Sequence, residues 1–359
     1  MAQTVLVGGT VVPVDADRRV LDPGAVAVDG DTIVAVGPRE QVLADHPDAE
    51  RIDLADHVLL PGLVDSHGHA GHSLTKNLVD GAGDDWLDLV KEIYFEGSDA
   101  EFWRAESRLA ALERLRAGVT TSLSYVGSMP RVDDPKFATA AATGYREFGL
   151  RHVVAVGPPD GLPVHATDPD TGTETTIDLD RAMATTEAVV DELDGAENGR
   201  LSVTVAPSSL VPETDENGAA TAASVEQLRA VRDLATAKDL PIHAHAYEGE
   251  VAAAADAEPE ILTDRLSLAH CAGISSEEVT LMAENGVAAS HGPLTHAYAW
   301  DRFPVVEAME QGSPSPSPRT AARPIGRSTC SHRAASRHSS SARTTATRAC
   351  SRPGACWSR

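Results

Sequence analysis

From Thr4 onward the chain alternates valine with small or polar residues, as in TVLVGGTVVPVDADRRVLDPGAVAVDGDTIVAVGP (4–38). A period of two marks strands with one buried face, and Gly-Gly, Pro-Gly and Asp-Gly read as the turns between them. Residues 1–58 are therefore expected to form a small β-sandwich domain. HVLLPGLVDSHGH (57–69) then runs apolar into a histidine-rich end, as a strand buried on both faces does. Six more apolar runs follow, at 118–128, 151–158, 201–210, 241–248, 266–273 and 286–293. Helical or mixed stretches such as AEFWRAESRLAALERLRA (100–117) separate them. Seven candidate strands with crossover segments predict an α/β fold over residues 59–310. The expected architecture is a TIM-like (β/α)8 barrel that lacks its eighth strand. The missing strand belongs where residue 311 begins.

Composition adds little to the fold and more to the surroundings. Aromatic residues make up only 4% of the chain, so the core must rest on Val, Leu, Ile and Ala. Acids outnumber bases 54 to 30, and the lysines are Lys76, Lys91, Lys136 and Lys238. Carboxylates hold water and hydrated cations, while high salt screens their mutual repulsion. That surface reads as halophilic, with an acidic mesophile protein as the alternative. It repels nucleic acid phosphates. No stretch reaches the roughly 18 apolar residues of a membrane helix, and MAQTVLVGG lacks the layout of a signal peptide. A cytoplasmic protein with no membrane or nucleic acid partner is expected. Cys271 reads as a small buried residue.

The charge changes sign near residue 312. Residues 1–310 hold 54 acids and 21 bases, whereas residues 311–359 hold nine arginines and no Asp, Glu or Lys. A basic nucleic-acid-binding tail is one reading. A shifted reading frame is the other, and the genetic code lets it be examined. Read from the third base of each codon, Ser-Pro-Ser-Pro-Ser-Pro (313–318) becomes Val/Leu/Ile/Phe alternating with Thr/Ala/Ser/Pro, provided the serines use TCN codons. Thr320 then becomes Asp, Asn, His or Tyr. The shifted frame permits a barrel strand ending in a carboxylate, and residues 311–359 are read as out of frame.

The chemistry sits at the strand ends. His67 and His69 are two apart, so they share a face, and in a barrel the C-terminal end of that face holds the active site. Neutral imidazoles there suit Zn2+ or Fe2+. A lone His-x-His has structural and capping explanations. His245 at the end of the fifth run and His270 at the end of the sixth weaken them, because buried imidazoles need partners. His243 shares the face of His245 one layer deeper and reads as structural or supporting. Asp65 reads as structural.

PGLVDSHGH (61–69), preceded by GDTIVAVGP (30–38), resembles the opening of the amidohydrolase superfamily. HAYE (245–248) and AHC (269–271) are similar to its fifth- and sixth-strand motifs. Within the superfamily, the cytosine deaminase and chlorohydrolase-like group, with its S-adenosylhomocysteine deaminases, is the nearest in pattern. The resemblance implies one divalent metal, zinc before iron, held by His67, His69 and His245. It implies Glu248 as proton shuttle and His270 as the residue that orients the bound water or substrate. It also implies a strand-eight Asp as last ligand and base, which no residue here matches. LSVTVAPSSL (201–210) has no Lys or Glu to bridge two metals, which favours a single ion. His291 and Trp86 are candidates for touching a small-molecule substrate, and His72 lies in the same loop as Trp86. His296 stands where the family usually has Asn. The implied activity is hydrolysis of carbon–nitrogen bonds other than peptide bonds, foremost deamination of a nitrogen heterocycle. Amide, cyclic amide or halide hydrolysis on the same site, or an inactive truncated product, are the alternatives. A homo-oligomer is compatible with the sequence.

Overall fold

The computed structural model describes residues 3–76, 78, 86–298 and 302–311. Contacts divide the chain between Leu63 and Val64 into two units. The first holds β1 (Thr4–Val11), β2 (Gly24–Asp29), β3 (Thr32–Pro38), α1 (Arg39–Asp45) and β4 (Glu50–Leu59). The strands form one sheet in the order β3-β2-β1-β4, with only the β1–β4 pair parallel. Gly30 at φ +62° lets a two-residue loop join β2 to β3. Val5, Ala25 and Ala27 pack with Val42 of α1 to make the small core.

Two expectations change here. The described residues of this unit form one sheet with a helix against it, where a sandwich needs a second sheet. The helix supplies Val42 to the core, so a second layer of strands is not required on that face. Gly8 and Gly9 also lie inside β1, at a register shift, and not in a turn. A side chain on Gly9 would run into the carbonyl of Ala55 on β4, so glycine there serves close strand approach.

The second unit begins with β5 (Leu63–Asp65) and β6 (His69–Ala70), followed by α2 (His72–Thr75), α3 (Trp86–Glu96) and α4 (Ala100–Arg116). β7 (Val119–Val126), α5 (Lys136–Glu147) and β8 (Arg151–Val156) come next. A hairpin of β9 (Val164–Asp168) and β10 (Thr173–Ile177) precedes α6 (Leu179–Leu193), α7 (Ala196–Gly199) and β11 (Leu201–Val205). The remainder is α8 (Ala222–Ala237), β12 (Ile242–Tyr247), α9 (Glu250–Ala257), β13 (Leu266–Ala272), α10 (Ser276–Glu284), β14 (Ala288–Ser290), α11 (Pro293–Tyr298) and α12 (Val305–Glu310).

The main sheet runs β14-β13-β12-β11-β8-β7-β5, which is chain order, and β6 continues the β5 stave against β7. Within this sheet the paired strands from β6 to β14 are parallel, and the antiparallel β9–β10 hairpin stands apart from it. These are seven staves of a barrel wall, at the places where the apolar runs stand in the sequence. The first run is shorter than its pattern, because His57–Leu59 belong to β4. Four of the described helices start where a side chain takes up a free N–H group of the first turn. Asp99 caps α4, Asp178 caps α6, Thr221 caps α8, and Ser275 with Glu278 forms a capping box on α10. Helices α4 and α5 pack tightly at Gly144, where a Cβ would fall 2.6 Å from the Ser107 Cβ. No described residue forms an eighth strand, so β5 and β14 each have one neighbour in the sheet. A hydrogen bond of 2.6 Å between the Ser66 and Ser290 hydroxyls joins the ends of these two edge staves. Residues 312–359, on which the out-of-frame reading falls, lie outside the described residues.

Two acids, the buried Glu278 and the half-buried Glu250, tie the loops at the strand ends. Glu278 accepts from the Val251 amide of α9 at 3.1 Å, and Glu250 accepts from the Val211 amide at 3.1 Å. Burial pushes Glu250 from 4.5 up to about 8, with the nearby Asp160 and Glu278 adding to the effect. The folded chain thus keeps a proton that the unfolded chain loses, and Glu250 costs stability increasingly as pH rises from about 4.5 to 8. Glu250→Gln is expected to stabilise the chain by roughly 1–3 kcal/mol at pH 8, with the gain vanishing below about pH 4. Urea unfolding at the two pH values measures it, and a gain independent of pH would contradict the assignment.

Candidate metal centre

The centre is built on the first stave. Between β5 and β6 the chain passes through Ser66, His67 and Gly68, and the turn rests on Arg114 of α4. A Cβ on Gly68 would lie 2.6 Å from the Arg114 guanidinium. Arg114 donates to Asp65 at 3.0 Å, to Ser124 at 3.0 Å and to Tyr145 at 3.1 Å. The helix that follows the turn is held by Glu106, fully buried, which accepts from the Ser73 and Leu74 amides.

Three imidazoles meet above this support. His69 donates from Nδ1 to the Gly127 carbonyl at 3.0 Å, and His245 donates from Nδ1 to the Ser208 carbonyl at 2.5 Å. A carbonyl only accepts, so both Nδ1 atoms carry the proton and both Nε2 atoms present lone pairs in the neutral rings. Those two Nε2 atoms stand 3.2 Å apart. His67 Nε2 is buried and has no hydrogen-bond partner among the described residues. One nitrogen from each of His67, His69 and His245 lies within 4.8 Å of the others, a grouping able to hold a metal ion.

Electrostatics keeps the rings neutral. Burial lowers His67 and His245 well below the usual imidazole value of 6.5, and the surrounding histidines add to it. Burial also takes His69 down to about 4, against the opposing pull of the Gly127 carbonyl. Neutral, desolvated imidazoles with free lone pairs are the form that ligates a divalent cation.

Around the three stand further sequence candidates. His270 lies with its ring 4.8 Å from His67 and stacked 5.3 Å from His245, and burial lowers it well below 6.5. His72 stacks on His69 at 5.2 Å and bonds Ser128 at 2.6 Å. His296 donates from Nε2 to the His270 carbonyl at 3.0 Å, and half-buried His291 faces it at 5.0 Å. Asp65 carries the ion pair to Arg114, and Cys271 is buried. Glu248 is exposed just past the end of β12. Trp86 opens α3, and its side chain lies outside the described residues.

Several contributors escape sequence reasoning. Gly127 and Ser208 act through main-chain carbonyls, which leave no side-chain signature. Tyr125 is fully buried, stacks 4.9 Å from His245, and lies within hydrogen-bond reach of the His243 and Pro207 carbonyls. His270 and Cys271 have φ of +66° and +53°, at a shift in the β12–β13 register. Such a bulge re-aims a strand-end side chain. The one signal for Tyr125 was its place at the end of the second apolar run.

The pattern that defines the amidohydrolase family matches residues 58–314, nearly three quarters of the chain. The chain belongs to the amidohydrolase family. Residues 24–49 match the imidazolonepropionase-like composite domain of bacteria. The chain is 29% identical over 303 residues to a 5-methylthioadenosine/S-adenosylhomocysteine deaminase of Nitratidesulfovibrio vulgaris strain DP4. That match covers 81% of this chain and 62% of the relative, so the chain spans about three fifths of the relative's length. Among solved structures, a triazine hydrolase of Arthrobacter aurescens superposes with a TM-score of 0.69 at 21% identity, covering 87% of this chain and 70% of that one. An adenosine deaminase from Xanthomonas campestris with bound zinc gives a TM-score of 0.68 at 23% identity, covering 87% and 67%. These superpositions establish the α/β barrel fold of this amidohydrolase chain.

The Asp65–Arg114 side chains are only 13% and 15% exposed, so water does little to screen the pair. Arg114→Met strands a carboxylate under the His67 turn and is expected to cost about 3 kcal/mol. Adding Asp65→Leu should return most of that loss. Chemical denaturation of the single and double variants measures it, and a purely additive double variant would refute the coupling.

Proposed function

We propose that this chain carries the catalytic centre of a mononuclear metal-dependent hydrolase that deaminates a nitrogen heterocycle. The reading rests chiefly on His69 Nε2 and His245 Nε2, which face each other as lone pairs at 3.2 Å beside the unpartnered His67 Nε2. Two lone pairs at that distance repel unless a cation accepts both. A donor set of three neutral imidazoles on strand ends suits Zn2+ first and Fe2+ second. A divalent cation bound there supplies an acidified water and a Lewis acid. His270, packed against His67 and His245, orients the group under attack. Glu248, exposed beside the strand ends, moves a proton to the ring nitrogen and then to the departing ammonia. In this reading His291, half-buried against His296, stands beside the substrate, a role that the sequence alone suggests for Trp86. The relatives named as deaminases of adenosine derivatives support this reaction class.

A second inference concerns the barrel wall. Both edge staves have a free side among the described residues, and the charge reverses at residue 311. We infer that a shifted frame has replaced the eighth strand and its carboxylate. Resequencing the source DNA across the codons for Met309 to Ala322 is expected to show a gained or lost base, and an intact frame would overturn this.

The frame-corrected protein should release ammonia from at least one of a panel of adenosine derivatives, pyrimidines and triazines, and lose that activity on chelation. Glu248→Gln should lower kcat by about 10²–10⁴-fold. Full activity in that variant, or no dependence on metal, would sink the proposal.

A further inference from the structure

His69 and His245 each rest on a main-chain carbonyl, but His67 does not. Its Nδ1 lies 3.0 Å from the Nε2 of His243, a second imidazole. His243 Nδ1 in turn lies 2.7 Å from the Ser267 hydroxyl, and that hydroxyl is 3.5 Å from the Ile242 carbonyl. His243 is 1% exposed and stands on β12 two residues before His245, one layer deeper in the barrel. Ser267 stands beside it on β13, paired with it in the sheet register.

A nitrogen–nitrogen contact holds one proton, so this chain of contacts has two arrangements. In one, His67 Nδ1–H donates to His243 Nε2, His243 Nδ1–H donates to Ser267, and the Ser267 hydrogen points toward Ile242. His67 Nε2 is then a lone pair facing His69 and His245. In the other, every proton shifts along the chain and His67 Nε2 carries a hydrogen into the site. That hydrogen would be a buried donor without a described acceptor, which costs about 1–3 kcal/mol. It would also sit where a cation belongs.

We infer that His243 and Ser267 are positioning residues of the metal centre, which hold His67 in the tautomer that turns its Nε2 lone pair toward His69 and His245. The inference rests on the metal reading above and deepens it. The His-x-His of the first stave gives two ligands, whereas the His-x-His of the fifth gives one ligand and the support for another. Outer partners of this kind alter metal affinity about 10–100-fold when removed.

The test uses the 359-residue chain and its His243→Leu, His243→Gln and Ser267→Ala variants. Affinity for zinc and cobalt(II) is read by competition with a chromophoric chelator, together with the cobalt visible spectrum. His243→Leu removes the acceptor and is expected to weaken binding about 10–100-fold with an altered cobalt spectrum. Glutamine places a carbonyl oxygen near the lost nitrogen and should restore binding to within a few-fold. Ser267→Ala, which leaves the ring in place, should show a smaller loss of the same sign. Histidine-selective nitrogen-15 spectra of the metal-free chain should show both His67 and His243 protonated on Nδ1. Equal affinity and an unchanged spectrum in His243→Leu, or a His67 ring protonated on Nε2 in the parent, would overturn the inference. A parent chain that binds no metal would sink the functional proposal instead, and the nitrogen spectra would still decide the tautomer. Should the leucine variant fail to fold, Ser267→Ala and the spectra carry the decision.

Discussion

Each histidine of the centre is held from behind, and everything in front follows from that. The carbonyls of Gly127 and Ser208 take the Nδ1 protons of His69 and His245, and His243 takes that of His67. Once the Nδ1 protons are committed, three Nε2 lone pairs converge in a desolvated space. Burial makes protonation of these rings costly, so acid is a poor way to relieve their mutual repulsion. A metal ion relieves it at no such cost.

The rest of the unit keeps the acceptors where they are. Parallel strands with helical crossovers bring loops from the second, fourth and fifth staves to one end of the sheet. The loop that offers the Ser208 carbonyl is itself clamped, because Asp160 bonds Ser209 at 2.7 Å and Glu250 bonds the Val211 amide. Arg114 and Glu106, both on α4, brace the first stave and the turn after it. Much of the buried charge in this unit thus serves to hold strand-end loops, with a share of the stability spent on keeping Glu250 neutral.

The barrel staves were legible because parallel strands buried on both faces read as apolar runs, and because proximity in sequence follows proximity in the sheet. His67, His69, His245 and His270 were legible for a related reason: strand parity fixes a face, and a strand end fixes a height. The N-terminal strands were legible too, but not their layering, since Val42 on a short helix carries little periodic signal. Main-chain acceptors, the left-handed His270–Cys271 pair and the Arg114 brace depend on tertiary contacts and have no local pattern. His243 was placed on the right face, and the register with Ser267 that explains it exists only in the folded sheet.

The central claim is that His67, His69 and His245 converge on a cation through nitrogen. X-ray absorption of the zinc-loaded chain tests it most directly. The account predicts a shell containing three imidazole nitrogens at about 2.0–2.1 Å, reduced to two in His69→Ala. A shell of oxygen or sulfur alone, or one unchanged in that variant, would contradict it.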